Sequence, residues 1–352
     1  MIKEKGVKLV KPKWKAGKER AFMKFISNIG TARSILLSHV QDLDGVVSAK
    51  AVMEGIHPNT LKFVDYVDLD MQFIEKLRKE KYGKIILSDL YIKNRELIRE
   101  MEKFADILII DHHPVQDDYN SKRTVFMNAD GYSAAYLCYY LFSKIRDLKQ
   151  LEWLVLSASI SDFCYTKGKK WISSTYTKYG DNFQLDRGFA RQQGIIWDLV
   201  MDLSLAISYF KPKTERVYSS IGRNFGDIGD LKKFSDAVRN EINVTMQKFE
   251  REKIPFKEGY FFYFECIFPI RSYLSTEISL KMKDKLIIIA EKKGDYVTLS
   301  ARRQDGKVNL NNLIPKLIKG FENSGAGGHK ASVGGNFPAK YLDEFRKRLK
   351  NL

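Results

Sequence analysis

The sequence predicts an α/β protein whose first domain is built on a parallel sheet, and two observations support this fold class. Short, almost continuously apolar runs alternate with segments of helical period between residues 34 and 113. Strands that are apolar along their whole length are typical of parallel sheets with helices on both faces. Strand and helix also follow each other in strict turn, which is the order of β-α-β units.

The elements of this first domain follow from the same runs. The predicted strands cover residues 34–40, 61–69, 84–90 and 106–113, and the helices between them cover 45–55, 71–82 and 94–105. In the second of these helices, Phe73, Ile74 and Leu77 fall on one face, which is the pattern of an amphipathic helix.

The second half of the chain changes from helical to strand-like patterns near residue 255. Residues 187–210 and 230–252 are predicted helices, and we expect the later one to link the domains. Strands follow in "GYFFYFECIF" (259–268), "KLIIIAEKKG" (285–294) and "YVTLSARR" (296–303). We predict a basic N-terminal segment at 1–20, a first domain at 21–186, a helical connector at 187–254 and a smaller α/β domain at 255–352.

The charge balance indicates a polyanionic partner. The 352 residues include 60 Lys and Arg against 43 Asp and Glu, a net charge of +17. Nucleic acid is the usual partner of such an excess, and solvated charged faces are the alternative explanation. The basic residues within 3–20 fit either a nucleic-acid contact arm or a solvated tail.

Apolar runs and cysteines indicate the cellular setting. No apolar run approaches the roughly 18 residues that a membrane span needs, so no membrane association is expected. Cys138, Cys164 and Cys266 are odd in number and lack a CxxC spacing, which is typical of reduced thiols in a cytoplasmic protein.

Acidic and imidazole side chains gather where three of the predicted strands end. The carboxyl ends of parallel strands form the edge at which open α/β sheets bind ligands, although an isolated Asp there is more often a helix cap. Such a concentration of carboxylates cannot stay ionised without cations. Carboxylate and imidazole ligands without thiolates favour a dinuclear Mn²⁺ or Mg²⁺ centre. The residues are His39, Asp42, Asp44, Asp89, Asp111, His112 and His113.

These segments together resemble the DHH phosphoesterase superfamily, which includes RecJ-type exonucleases and nanoRNA and cyclic-dinucleotide phosphodiesterases. The tripeptide "DHH" (111–113) follows "SHVQDLDG" (38–45) and "ILSDL" (86–90), and "LVLSASISDFCY" (154–165) supplies a further Asp at 162. Near the end of the chain, "TLSAR" (298–302) and "SGAGGHKASVGG" (324–335) look like motifs of the DHHA1 domain. These motifs stand in the family order.

The resemblance implies a role for each residue of the first domain. His39 and Asp42 would hold one Mn²⁺, and His112 and Asp162 a second, with Mg²⁺ as the alternative metal. Asp89 would bridge the two ions, and Asp44 would lie close to both. Asp111 would orient His112 or the chain. His113 would face the substrate as a donor to phosphate.

The resemblance also implies how the second domain binds substrate. In the glycine-rich segment, Gly327 and Gly328 would let backbone N–H groups approach an anion, with a plain hairpin turn as the alternative. Arg302 and His329 would add donors to a terminal phosphate or sugar. The active site is expected in a cleft between the two domains.

The function expected from the sequence is a Mn²⁺-dependent phosphodiesterase that hydrolyses single-stranded oligonucleotides from an end. A cyclic-dinucleotide or pAp-type phosphodiesterase would use the same parts. A non-catalytic scaffold bound to replication proteins is a third alternative. RNA against DNA, the polarity of digestion and a homodimeric state are left open.

Overall fold

The computed structural model describes residues 8–90, 92, 94–115, 117–180 and 194–352. Its backbone divides into two compact units, Met1–Ser235 and Asp236–Leu352. The predicted domain boundary at residues 186 and 187 lies outside the described residues, as do residues 187–193 of a predicted helix and the first seven residues of the basic segment. Among the described helices, none combines the length and apolarity that crossing a membrane requires.

The first unit alternates strands and helices, as its apolar runs predict. In chain order its elements are α1 (Glu19–Ser27), β1 (Ser34–His39), α2 (Leu43–Ile56), β2 (Thr60–Val64), α3 (Met71–Lys79), β3 (Lys84–Ser88), α4 (Arg95–Glu102), β4 (Asp106–Asp111), β5 (Thr124–Asn128), α5 (Ala134–Phe142), α6 (Glu152–Ser161), α7 (Lys169–Lys178), α8 (Ile195–Phe210) and α9 (Glu215–Ser220), and α10 (Leu231–Glu252) continues into the second unit.

Five parallel strands form the sheet of this unit in the order β2-β1-β3-β4-β5. The predicted fold class is thereby confirmed. Successive residues of a strand enter different cores: Leu36 packs into one apolar cluster, whereas Ile35 and Leu37 pack into another. Because a strand's side chains alternate between faces, both faces of the sheet are covered. This explains why the strands are apolar throughout.

The second strand is shorter than its sequence predicts. It ends at Val64, although the apolar pattern continues to residue 69. The Asp65 side chain accepts the Tyr66 N–H, and the Asp68 side chain accepts the Asp65 N–H. These bonds close a 3₁₀ turn over Tyr66–Asp68, which removes the segment from the sheet. Side-chain capping has therefore overridden the strand pattern.

The second unit is a mixed sheet with helices. Its remaining elements are β6 (Ile254–Phe256), β7 (Gly259–Phe264), α11 (Arg271–Lys281), β8 (Leu286–Lys293), β9 (Tyr296–Arg302), α12 (Leu310–Leu317), β10 (Gly325–His329), β11 (Ser332–Pro338) and α13 (Leu342–Lys350). The strand order is β10-β11-β9-β8-β7-β6, with β7 and β8 parallel and the other neighbours antiparallel. Phe261, Ile288 and Phe345 lie in its apolar core.

Candidate metal centre

The ends of β1, β3 and β4, the three middle strands of the parallel sheet, hold the polar residues that the sequence singles out. β1 ends at His39, Asp89 follows the last residue of β3, and β4 ends at Asp111. These strands are adjacent and parallel, so their ends meet at one edge. Asp89 has φ +56°, a left-handed conformation that a non-glycine residue rarely adopts. Such strain concentrates at functional sites.

A glycine lets helix α2 start close to β1. The Asp42 side chain caps this helix by accepting the Gly45 N–H at 3.1 Å. A Cβ on Gly45 would lie 2.1 Å from the His39 carbonyl oxygen, which is far inside van der Waals contact. Gly45 therefore allows the close approach that brings Asp42 next to His39.

One group of ligand-type atoms lies around His39. Its Nδ1 is 3.3 Å from Asp42 Oδ2 and 3.6 Å from Asp89 Oδ2. His39 is 6% and Asp89 2% exposed. Among the described residues, neither His39 nitrogen nor Asp89 Oδ2 has a hydrogen-bond partner. Because burying unpartnered polar atoms is costly, these atoms fit a bound cation.

A second group lies around His112. Its Nε2 is 3.4 Å from Asp89 Oδ1 and 3.4 Å from Asp162 Oδ2, so the two oxygens of Asp89 face different histidines. Asp162 directly follows α6. His112 Nε2 is also 3.7 Å from Asp44 Oδ2. The structure thus brings together all six side chains that the resemblance implies as metal ligands.

Asp44 is held differently from the other acidic residues. Its two oxygens accept the backbone N–H groups of Ala134 and Ala135 at 2.7 and 2.8 Å. These groups open helix α5, whose N-terminal dipole favours a negative charge. Asp44 therefore links the centre to α5 as well as lying near His112.

Electrostatics at the centre favour a cation. Burial raises the pKa of Asp44 well above its usual range, and the charges of Asp89 and Asp162 raise it further. Burial and the charge of Asp89 also raise the pKa of Asp162 to about 6, although His112 opposes them. Burial lowers the pKa of His39, but the nearby carboxylates of Asp42 and Asp89 outweigh this effect and raise the pKa to about 10. Mutually repelling, buried carboxylates with imidazoles are a donor set that suits divalent metal.

His113 lies beside the two groups and is oriented by Asp111. His113 Nδ1 donates to Asp111 Oδ1 at 2.8 Å, and His113 Nε2 lies 3.4 Å from the Tyr66 hydroxyl. Burial lowers the pKa of His113, but the hydrogen bond and the charge of Asp111 outweigh burial and raise this pKa above its ordinary value. The resemblance implied that Asp111 orients His112 or the chain, whereas its hydrogen bond in the structure runs to His113.

Two residues at the centre were missed by the sequence analysis. Tyr66 lies after β2, and its ring centroid is 4.7 Å from that of His39. The other residues were identified because they follow the carboxyl ends of strands. The same argument would have identified Tyr66 if β2 had been predicted to end at Val64. Cys164 was interpreted only as a reduced thiol, yet its Sγ lies 3.1 Å from Asp162 Oδ2. Its position two residues after Asp162 was the available signal.

The predicted substrate-binding residues belong to the second unit. The glycine-rich segment is a hairpin of β10 and β11, and β10 is an edge strand of the sheet. Ser332 pairs with His329 on one side and with Arg302 on the other, so these three form one row across the sheet. Residues of such a row share a face, which brings Arg302 and His329 to the same side, about 10 Å apart.

The glycines and arginines around this row suit an anion. Gly328 has φ +154°, and a Cβ there would lie 2.3 Å from the Ser332 carbonyl oxygen, so glycine is required. Gly327 and His329 are exposed. Burial and the charge of Arg271 lower the pKa of Arg302, so the two guanidinium groups repel each other. A bound anion would relieve this repulsion.

Comparison with known proteins accounts for both units. The sequence matches the DHH family N-terminal domain over residues 34–166 and the DHHA1 domain over residues 271–352. The chain carries a DHH domain and a DHHA1 domain. The resemblance to the DHH phosphoesterase superfamily is therefore confirmed, and the centre described above lies within the DHH domain. A search of curated proteins finds no match to this sequence.

Several solved structures share the fold at low sequence identity. RecJ from Thermus thermophilus in complex with Mn²⁺ is 12% identical with a TM-score of 0.69, and the match covers 98% of this chain and 55% of that one. Exonuclease RecJ bound to manganese is 12% identical with a TM-score of 0.68, covering 98% and 95%. CDC45 from Entamoeba histolytica is 9% identical with a TM-score of 0.59, covering 95% and 98%. The chain thus spans about half the length of the Thermus RecJ.

Proposed function

We propose that this DHH/DHHA1 protein is a metal-dependent phosphodiesterase that hydrolyses single-stranded oligonucleotides from an end. The observation that carries the proposal is the convergence of buried carboxylates and imidazoles at three adjacent strand ends, with atoms of His39 and Asp89 that make no hydrogen bond to the described residues. A DHH phosphoesterase with a nucleotide-type substrate is the general class. The oligonucleotide and the cleavage from an end are the specific part of the proposal.

The proposed ligands divide into two sets that share Asp89. His39 and Asp42 would hold one ion, His112 and Asp162 the other, with Asp44 near His112. Two divalent ions held there would lower the pKa of bound water and neutralise phosphoryl oxygens. Carboxylate and imidazole donors support Mn²⁺, with Mg²⁺ as the alternative, and both metals occur in the solved RecJ structures.

His113 is proposed as the proton donor to the leaving group or to a phosphate oxygen. Asp111 accepts from Nδ1 and raises the pKa of His113, so the imidazolium form keeps Nε2–H for the substrate. The Tyr66 hydroxyl lies 3.4 Å from Nε2, beside the position that a phosphate oxygen would take. A positioned donor of this kind acts when negative charge develops on the phosphate.

Charge and composition support an oligonucleotide as the substrate. The net charge of +17 raises the local concentration of a polyanion. Arg302 and His329, which share one face of the second unit's sheet, are proposed to bind a terminal phosphate or sugar.

All three cysteines are free thiols, which fits a reducing, cytoplasmic setting.

The first experiment tests metal dependence. The purified protein is stripped with EDTA and assayed on bis(p-nitrophenyl) phosphate after addition of Mn²⁺, Mg²⁺ or Ca²⁺. We expect no hydrolysis without added metal and more with Mn²⁺ than with Ca²⁺, whose looser and larger coordination suits a shared ligand poorly. Undiminished hydrolysis in EDTA would contradict the metal centre.

The second experiment tests the substrate. The protein is incubated with Mn²⁺ and end-labelled RNA or DNA, and with cyclic di-AMP in parallel. The strands are roughly two to twenty nucleotides long, a range that includes the site sizes of single-strand binders. We expect stepwise shortening of the linear strands from one end. If only the cyclic dinucleotide is hydrolysed, the substrate is a cyclic dinucleotide and not a linear oligonucleotide. Binding of the strands without hydrolysis of any diester would favour a non-catalytic scaffold.

A further inference from the structure

Cys164 completes a mixed-donor group on one side of the metal centre. Its Sγ lies 3.1 Å from Asp162 Oδ2 and 3.7 Å from His112 Nδ1, and Asp162 Oδ2 is 3.4 Å from His112 Nε2. One ligand atom from each of these three side chains lies within 4.8 Å of the others. The centre thus offers sulfur beside nitrogen and oxygen.

A separate observation indicates that a cation belongs in this centre. Asp89, which is 2% exposed, directs Oδ1 to His112, and its Oδ2 faces His39 at 3.6 Å without a hydrogen bond among the described residues. Both nitrogens of His39, which is also buried, make no hydrogen bond to the described residues either. Buried polar atoms in this state need a charge to satisfy them. Cys164 therefore adjoins a site whose demand for a cation does not depend on the thiol.

We propose that Cys164 is a thiolate ligand on the His112–Asp162 side of the centre, which makes that side selective for a soft divalent cation such as Zn²⁺. The inference rests on the proposed function, because it concerns the same centre. On binding, the S–H proton passes to solvent, and the sulfur electron pair forms the bond to the cation. The His39–Asp42 side keeps only nitrogen and oxygen donors and stays suited to Mn²⁺.

Geometry and donor chemistry both support this assignment. Tetrahedral Zn²⁺ at bond lengths of about 2.0–2.3 Å places its ligand atoms about 3.3–3.8 Å from one another. The separations of Asp162 Oδ2 from Cys164 Sγ, 3.1 Å, and from His112 Nε2, 3.4 Å, lie near that range, and one ligand atom of each of the three side chains lies within 4.8 Å of the others. Thiolates select Zn²⁺ and related ions, whereas Mn²⁺ and Mg²⁺ prefer carboxylates and water. The two sides of one centre would therefore differ in the metal that they retain.

Cobalt spectroscopy tests the sulfur bond directly. Co²⁺ is titrated into EDTA-stripped protein, and absorption is followed in the near ultraviolet, where thiolate-to-cobalt charge transfer appears, and in the visible, where all bound Co²⁺ absorbs. We expect a charge-transfer band for the wild type and for Cys266→Ser, the control cysteine of the second unit. Cys164→Ser should lose this band while keeping visible Co²⁺ absorption.

Competition between metals tests the selectivity. Apo Cys164→Ser should bind Zn²⁺ at least about tenfold more weakly than the wild type, with a much smaller change for Mn²⁺. Thermal unfolding of the apo proteins checks that the variant is folded, and Cys164→Ala provides a second substitution without a hydroxyl. Equal losses for both metals, or an unchanged Zn²⁺ affinity, would overturn the selectivity.

The outcomes separate this inference from the proposed function. Visible Co²⁺ absorption without a charge-transfer band in the wild type would overturn sulfur ligation, and the metal-dependent phosphodiesterase would stand. Absence of any Co²⁺ absorption would remove the metal centre and with it both proposals. A band that persists in Cys164→Ser and disappears in Cys266→Ser would show that the sulfur ligand is Cys266 of the second unit, which would overturn the inference.

Discussion

The metal centre of the DHH domain and the Arg302–His329 row of the DHHA1 domain both gather charged or polar groups, yet they do so in opposite surroundings. His39 and Asp89 are at least nine-tenths buried, and Asp89 stands in a strained backbone conformation. Gly327, Gly328 and His329 lie exposed on an edge strand. The first arrangement is costly without an ion, whereas water screens the exposed glycines and His329 of the second.

This difference separates chemistry from binding. Buried carboxylates that raise one another's pKa store repulsion that a cation relieves, so they bind metal tightly in a defined geometry. The exposed donors of the row gain less from each contact, because they exchange water for ligand. We therefore expect substitutions in the first region to act on catalysis and metal content, and those in the second to act on substrate affinity.

Asp89→Asn tests the shared ligand and should have the largest effect. Asp89 contacts both His39 and His112, so losing its charge weakens both ligand sets. We expect hydrolysis of bis(p-nitrophenyl) phosphate to fall by roughly a thousandfold, beyond the 10- to 100-fold typical of residues behind the ligands, and bound Mn²⁺ to fall with it. The checks are steady-state kinetics and metal analysis of the same preparation.

The control for this variant is Asp70→Asn. Asp70 is exposed and caps α3 by accepting the Phe73 N–H, a role that Asn fills equally well. Rate and metal content should match the wild type. A full complement of Mn²⁺ in Asp89→Asn would exclude Asp89 as a shared ligand.

His113→Asn tests proton donation apart from metal binding. Asn can still reach Asp111, but it offers no imidazolium proton to the substrate. We expect kcat to fall by roughly a hundredfold with little change in KM or in bound metal. His57→Asn, at the exposed end of α2, is the matched control and should leave kcat unchanged. A rise in KM at constant kcat would instead make His113 a binding residue.

Arg302→Ala tests the row in the DHHA1 domain. A lost charge-assisted contact should reduce kcat/KM for a short oligonucleotide by about 2 kcal/mol, or roughly 30-fold, mainly through KM. Hydrolysis of bis(p-nitrophenyl) phosphate should hardly change, because this diester has no distant terminus. Arg251→Ala removes an exposed charge from the same unit and corrects for net charge. Equal losses on both substrates would mean that Arg302 supports the fold.

Gly45→Ala tests the close approach of α2 to β1, and Gly334→Ala serves as its control at an open position. The added Cβ would meet the His39 carbonyl oxygen at 2.1 Å, so α2 has to shift away from β1. We expect a loss of about 1–3 kcal/mol in the free energy of unfolding and weaker Mn²⁺ binding. Gly334→Ala, which meets nothing within 4 Å, should stay within about 0.5 kcal/mol. Similar losses for both would deny Gly45 its special role.

The sequence by itself determined the parallel sheet and most of the centre. Apolar runs with helical segments between them leave few arrangements other than β-α-β units, and residues at strand ends then meet at one edge. His39, Asp42, Asp89, His112 and the others were found in this way. Strand β5 was missed, since "TVFMN" is too short and mixed for periodicity to identify.

Only the tertiary structure decided which groups touch. Hydrogen bonding of Asp111 to His113 depends on side-chain directions at the end of β4, which spacing along the chain does not define. Cys164 and Tyr66 reach the centre because α6 and the turn after β2 end there, and neither end lies near β4 in sequence. Local pattern determines elements and their order, because it depends on near neighbours. Contacts between distant segments depend on packing, which no local pattern contains.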